Sequence, residues 1–443
     1  MFPNMRIASS RGSPRVVARS RIQCGGKATA GTKFPVELPL VETKPGGSEH
    51  MFDITDTNRA ALSALRRDLH AHPELSFQET RTAEIVATRL HRAGLAVRTG
   101  LARTGVVGVL QGGRPGKVVM VRADIDALPI HEENETAYRS LQPGVMHACG
   151  HDGHTAVAVI LAEGMAGRRA DLPGTLVFAF QPAEEIAQGA LPMIQEGVMD
   201  QPRVDAVVGF HLLNGAPAGV VHLRAGPAMA SMDEIAITIE GLGGHGAVPH
   251  RAVDPIVVAA HVVTALQTVV SRETSPLDAI VVTIGTIQGG TAFNIIPDRV
   301  EMRGTVRAFT EESRERTLRR IEEIATATAA AHRARATVTH RFGCPPVVND
   351  PGVTAIVRQV AVQVVGPERV REAEMWTASD DMAYFLRRAP GCYFMVGSQN
   401  ADRGLDAPHH NARFDFDEEA LTIAARVLGG AAVRLLEPQR SEV

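Results

Sequence analysis

From about residue 56 the chain switches between two hydrophobic periods. Residues 58–70 carry Leu62, Leu65 and Leu69 at three- and four-residue spacing, which predicts a helix, and His72-Pro73 breaks it. A second helix follows, with Ala83, Val86 and Leu90 on its apolar face and Gly94 as its stop. Short β-branched runs then appear at 106–110 and 118–121, separated by a Gly- and Pro-rich stretch at 111–116. Residues 155–164 read as an apolar helix, and 176–180 and 206–210 as apolar strands. These strands alternate little, as expected where both faces are covered. Candidate functional residues follow directly after three of them, where open α/β sheets place their sites.

A different pattern runs from about Met229 to Arg341. Ile235, Ile237 and Ile239 alternate with Glu234, Ala236, Thr238 and Glu240, the signature of a half-buried strand. A helix over 255–270, strands over 279–287 and 299–309, a charged helix carrying Leu318, Ile321 and Ile324, and a strand over 336–339 complete the order β-α-β-β-α-β, that of a ferredoxin-like unit. It interrupts an α/β pattern that resumes with a strand at 392–396 and a helix at 418–436. The expected fold is therefore α/β and two-domain: a catalytic domain of residues 51–227 and 341–443, and an inserted α+β lid and dimerisation domain over 228–340. Residues 1–50 are Arg-rich, with no acid before Glu37, and lack the apolar core of a secretory signal; they are expected to form a disordered extension.

Composition narrows the function. With 44% hydrophobic and 21% charged residues, the 443-residue chain can bury a sizeable core. A net charge of −3 supplies no basic field for nucleic acid, and no apolar run reaches the 18 or more residues that a membrane helix needs. Four scattered cysteines, Cys24, Cys149, Cys344 and Cys392, do not form a disulfide framework, which favours a reducing, cytoplasmic setting.

The chemistry lies in four short clusters. In 147–154 (HACGHDGH), Cys149 and His151 supply thiolate and imidazole two residues apart, good donors for borderline divalent metals; a His-rich loop around a buried structural cysteine is the alternative. Glu184 and Glu185 follow the apolar strand 176–180. Alone they could be a solvated helix start, but a dinuclear hydrolase needs one carboxylate on metal and another to move a proton. His211 ends the run 206–210, and His409-His410 precedes the last helix. Cys149, His151, Glu185, His211 and His410 make five ligands of mixed N, O and S type, too many for one catalytic metal but suited to two.

In order and spacing these clusters resemble the aminoacylase/hippurate hydrolase family of dinuclear metallopeptidases, in its branch with a cysteine ligand. That branch includes N-acyl-amino-acid deacylases and auxin-conjugate hydrolases. The likeness extends from the RRDLHAHPELS block at 66–76 through RADIDALP at 122–129, GGHGAVPH at 243–250 and NIIPD at 294–298 to RFDF at 413–416. The resemblance implies that the five residues hold two divalent ions, zinc, manganese, cobalt or nickel. It makes Glu184 the general base and acid, places Asp126 behind a ligand or the water, and gives His245 and Asn294 contacts with the substrate, often across a dimer interface. It favours His410 over His409 as ligand. The implied reaction is hydrolysis of the amide of a small N-acyl amino acid by a homodimer or higher oligomer. A dipeptidase or carboxypeptidase of the same fold and a non-catalytic binding protein are the rivals; a structural metal protein would have no use for the spare carboxylate Glu184. Two departures, Ser379-Asp380-Asp381-Met382 for Ser-Glu-Asp-Phe and Ala412 for proline, bear on the pocket rather than on the ligands.

Overall fold

The structure, a computed structural model, describes residues 55–437; the expected extension at 1–50, and Cys24 with it, lies outside them. The first helix, Asp56–Ala71, is capped by the Thr55 side chain, which accepts from the Asn58 amide, and it buries the predicted Leu62, Leu65 and Leu69. The second, Thr80–Arg92, ends two residues before Gly94, whose φ of +78° suits a residue without Cβ.

Eight strands form a mixed sheet in the spatial order Ala96–Leu101, Gly105–Gln111, Pro173–Gln181, Arg114–Asp124, Ala206–Pro217, Gly391–Gln399, Val221–Leu223 and Val370–Glu372. The middle four are parallel. One face is covered by His151–Ala166 and Glu419–Leu436. The first of these is buried along nearly its whole length, so its sequence has no polar stripe. The other face forms a second core around Met120, Val177, Val207, Phe385 and Tyr393.

The segment read as ferredoxin-like carries the expected elements in order, with two further two-residue strands, Gly244–His245 and Ile295–Ile296, between them. Its antiparallel sheet runs Ile280–Gly289, Arg299–Ala308, Met232–Glu240, Arg335–Cys344. Ile235, Ile237 and Ile239 point into a core shared with Val262 and Leu266 of helix Pro255–Thr268 and Ile321 and Ala325 of helix Glu311–Ala331.

Several expectations need correction. The apolar helix begins at His151, four residues before the apolar run, because Gly150, at φ +89°, turns the chain into its first turn. His211 does not end its strand: pairing with Gly391–Gln399 continues the strand to Pro217. The edge strand Ala96–Leu101 and the helix Pro351–Val365 were not anticipated. One described helix, Pro255–Glu273, is also long and apolar enough to cross a membrane by length and composition, because its few polar residues are dispersed; in this fold Val258, Ala259, Val262 and Leu266 pack on the small sheet.

Candidate metal centre

Strand ends and the turns after them bring a cluster of ionisable side chains together. Asp124 is the last residue of its strand, and its carboxylate accepts from Arg122 at 2.7 Å and meets His154 Nδ1 at 2.6 Å. Two residues on, Asp126 accepts the backbone amides of Glu184 and Glu185, each at 3.1 Å, and the Ser76 hydroxyl at 2.7 Å. This carboxylate thereby fixes the turn that presents both glutamates. Ala183 in the same turn has φ +52°, and its amide donates to the buried Glu79 at 3.0 Å. A non-glycine residue in this region costs about 1–2 kcal/mol, so the turn is held by its surroundings rather than by local preference.

The five residues expected as ligands come together. Cys149 Sγ lies 3.5 Å from His211 Nε2, and His211 Nδ1 is committed to the Leu212 carbonyl at 2.6 Å, which leaves Nε2 with its lone pair. His151 Nδ1 meets the Asp126 carbonyl at 2.9 Å, and its Nε2 lies 3.7 Å from Glu185 Oε1. His410, at φ +64°, has Nε2 at 3.4 Å from Glu185 Oε2. Three compact groups result: Cys149, His151 and His211; Cys149, Glu185 and His410; and His151, Glu184 and Glu185.

The donor set fits metal ions on two observations. His151 Nε2 and Glu185 Oε1 are buried, face each other and have no hydrogen-bond partner, whereas buried polar atoms are almost always paired. Acidic groups also crowd a dry space. Burial, then repulsion from Asp380, Glu185 and Asp381, drives Glu184 well above the carboxylate range. Burial pushes Glu185 up to about 7 even with His151 beside it. Burial works against a proton on His151, yet Asp124, Asp126 and Glu185 outweigh it and raise this imidazole to about 10. Such a site gains from positive charge.

The histidine doublet separates cleanly. His409 Nε2 accepts the Asn214 amide at 3.1 Å and burial holds the ring well down, at about 3. His410 faces Glu185 instead. His154 is likewise committed at both nitrogens, to Asp124 and to the Leu212 amide at 3.0 Å. Asp152 is held by Arg66 at 2.9 Å and by His70 at 2.8 Å. His245 and Asn294 are elsewhere. They adjoin each other, Gly246 N donating to the Asn294 carbonyl at 2.8 Å, on an exposed ladder of Gly244–His245 with Ile295–Ile296. Among the described residues no hydrogen bond or ion pair joins either to the five.

Sequence reasoning missed Arg122. This fully buried guanidinium holds Asp124, Asp380 at 3.2 Å, Asp381 at 3.2 Å and Gln181 at 2.9 Å. Its signal was present: an arginine inside an apolar strand, and an Asp-Asp pair far along the chain.

Cys149, His151, Glu185, His211 and His410 thus cluster at the carboxyl edge of an α/β sheet, with the Glu184 carboxylate beside them. Residues 120–434 match Peptidase family M20/M25/M40, and the chain belongs to this family. It is 40% identical to an N-acetylcysteine deacetylase of Bacillus subtilis over 377 residues, 85% of this chain and 97% of that protein. It is 38% identical to thermostable carboxypeptidase 2 of Saccharolobus solfataricus over 365 residues, 82% of this chain and 92% of that one. Among solved structures, a Bacillus subtilis protein described as a dinuclear metal binding peptidase of the M20 family superposes with a TM-score of 0.76 at 34% identity, covering 86% of this chain and 99% of that one.

Proposed function

We propose that this protein hydrolyses the amide bond of small N-acyl amino acids, releasing a carboxylic acid and a free amino acid. The observation that carries the reading is the pair of facing, unpartnered atoms His151 Nε2 and Glu185 Oε1 beside the spare carboxylate of Glu184. The deacetylase and carboxypeptidase names among the relatives agree with it, since both describe cleavage of an amide whose nitrogen belongs to an amino acid with a free carboxylate.

Cys149, His151, Glu185, His211 and His410 would hold two divalent ions, zinc, manganese, cobalt or nickel, with one of the five shared between them. When bound, such ions polarise a carbonyl and acidify water. Glu184 takes a proton from the attacking water on a carboxylate oxygen and delivers it to the leaving amine nitrogen. Asp126 positions Glu184 and Glu185 through their amides and His151 through its carbonyl. His245 and Asn294, on the inserted unit of residues 228–340, would meet the substrate from the same chain or from a second copy. The substrate is a small molecule rather than nucleic acid or membrane, and the setting cytoplasmic.

The test is hydrolysis of a panel of N-acyl amino acids by protein loaded separately with each metal, with a chelator as control. Chelator-sensitive release of free amino acid is expected. Full metal occupancy without turnover on any member would overturn the reading. Metal content also discriminates within the doublet. His410→Ala should lower occupancy, whereas His409→Ala should lower thermal stability, since it strips the Asn214 amide of its acceptor at about 1–3 kcal/mol. Equal metal loss in both variants would reject the assignment.

A further inference from the structure

The face of the large sheet that carries His211 continues away from the metal centre as a cavity of about 430 Å³. Strand register fixes its direction. His211 is directly opposite Met395, Met395 opposite His222, and His222 opposite Arg371, on four successive strands. Residues directly opposite share a face, so these four side chains form one row. At roughly 4.8 Å per strand, His222 lies about 10 Å and Arg371 about 14 Å from His211.

The two ends differ in chemistry. Near His211 the walls are flat and apolar. The Trp376 ring sits 6.5 Å from the His211 ring and 6.4 Å from that of His409, and Tyr393 sits 6.3 Å from His211. The far end brings His222, Arg224 and Arg371 together with Glu372 and Glu374, and its basic groups are incompletely satisfied. His222 Nε2 and Arg224 Nε are buried without a hydrogen-bond partner. Arg371 has no ion-pair partner among the described residues, while the neighbouring Glu372 is taken by Arg358 at 2.5 Å. Burial and the Arg371 charge hold His222 below its ordinary value, so a bound anion would relieve both groups.

We propose that this cavity receives the acyl group of the substrate and selects one with a flat apolar body ending in a carboxylate. The inference rests on the amide-hydrolase reading above. With the scissile carbonyl at the His211 end, a benzene ring substituted at opposite positions fills the span, with a hydrogen-bond length left at each end. Its ring lies against Trp376 and Met395, and its distal carboxylate meets His222, Arg224 and Arg371. An acetyl group leaves the whole row uncovered.

The experiment compares kcat/KM of the metal-loaded full chain on N-acetylglycine, N-benzoylglycine and N-(4-carboxybenzoyl)glycine. The carboxylated conjugate is expected to exceed the benzoyl one by about tenfold, the ratio of one well-placed charged contact. That ratio should fall toward one in Arg371→Ala and in His222→Leu. A wild-type ratio of one or less overturns the proposal. Calorimetric binding of the same conjugates to metal-loaded Glu184→Gln protein reads the pocket without turnover. Tighter binding of the carboxylated compound, lost in Arg371→Ala, supports the pocket even if no conjugate is cleaved, in which case only the hydrolase reading falls. Hydrolysis of the acetyl or benzoyl compound with no carboxylate preference in either assay leaves the hydrolase reading intact and removes this one.

Discussion

Glu184→Gln should lower kcat by about 10³-fold, within the range for loss of a positioned general acid and base, while metal content stays at the wild-type level. The amide keeps the volume of the side chain and its place in the turn, because the Glu184 contact with Asp126 is made by the backbone amide and not by the carboxyl. What disappears is a group that can take a proton from water and return it to nitrogen. The neighbouring Glu185, whose carboxylate faces both His151 and His410, is expected to behave differently: Glu185→Gln should lose metal and activity together. Parallel measurement of kcat and bound metal on the two variants separates a proton carrier from a ligand. If Glu184→Gln loses metal in step with activity, Glu184 holds an ion and the proton must move on another group. An unchanged kcat would remove Glu184 from the reaction altogether.

The contrast between adjacent glutamates also marks how far the sequence could be read. Cys149, His151, Glu184 and Glu185 were recognisable because they lie within short motifs next to apolar runs, and local spacing dictates which way such side chains point. The β-α-β-β-α-β segment was equally open, since Ile235, Ile237 and Ile239 alternate on a sheet with one dry face. The choice within the doublet came only by likeness to a family. The contact that distinguishes the two rings, the Asn214 amide on His409, joins residues almost two hundred positions apart. The edge strand Ala96–Leu101 escaped notice because only Leu101 in it is buried, so pairing and not burial makes it a strand. The ladder bearing His245 and Asn294 could be singled out by its glycines. Its place relative to Cys149, His151, Glu185, His211 and His410 depends on how the inserted unit meets the large sheet, which no local pattern encodes.

Arg122 is the largest long-range feature of this kind, and Arg122→Met should destabilise the fold by about 3–5 kcal/mol, the usual consequence of removing one partner from a buried ion cluster. Methionine fills much of the volume but removes the one guanidinium that contacts Asp124, Asp380 and Asp381 together. The pH dependence of the deficit identifies its cause. Even with Arg122 in place, burial and the adjacent Asp380 push Asp381 up to about 7. Without the guanidinium the Asp381 carboxyl holds its proton still more firmly when folded, whereas in the unfolded chain an aspartate titrates near 4. The folded variant then binds more protons than the unfolded chain from about pH 4 to above pH 7; wild type shares the lower part of that window through Asp381, so the deficit relative to wild type opens as pH rises past about 7. The deficit relative to wild type should be smallest near pH 5 and largest near pH 8, read from denaturant midpoints at each pH. Adding Asp381→Asn to Arg122→Met should recover part of the loss at pH 8 and little at pH 5, because it removes the charge that acid removes. A deficit independent of pH, unrelieved by Asp381→Asn, would mean that Arg122 contributes through packing and its Gln181 hydrogen bond rather than by neutralising the carboxylates behind the metal centre.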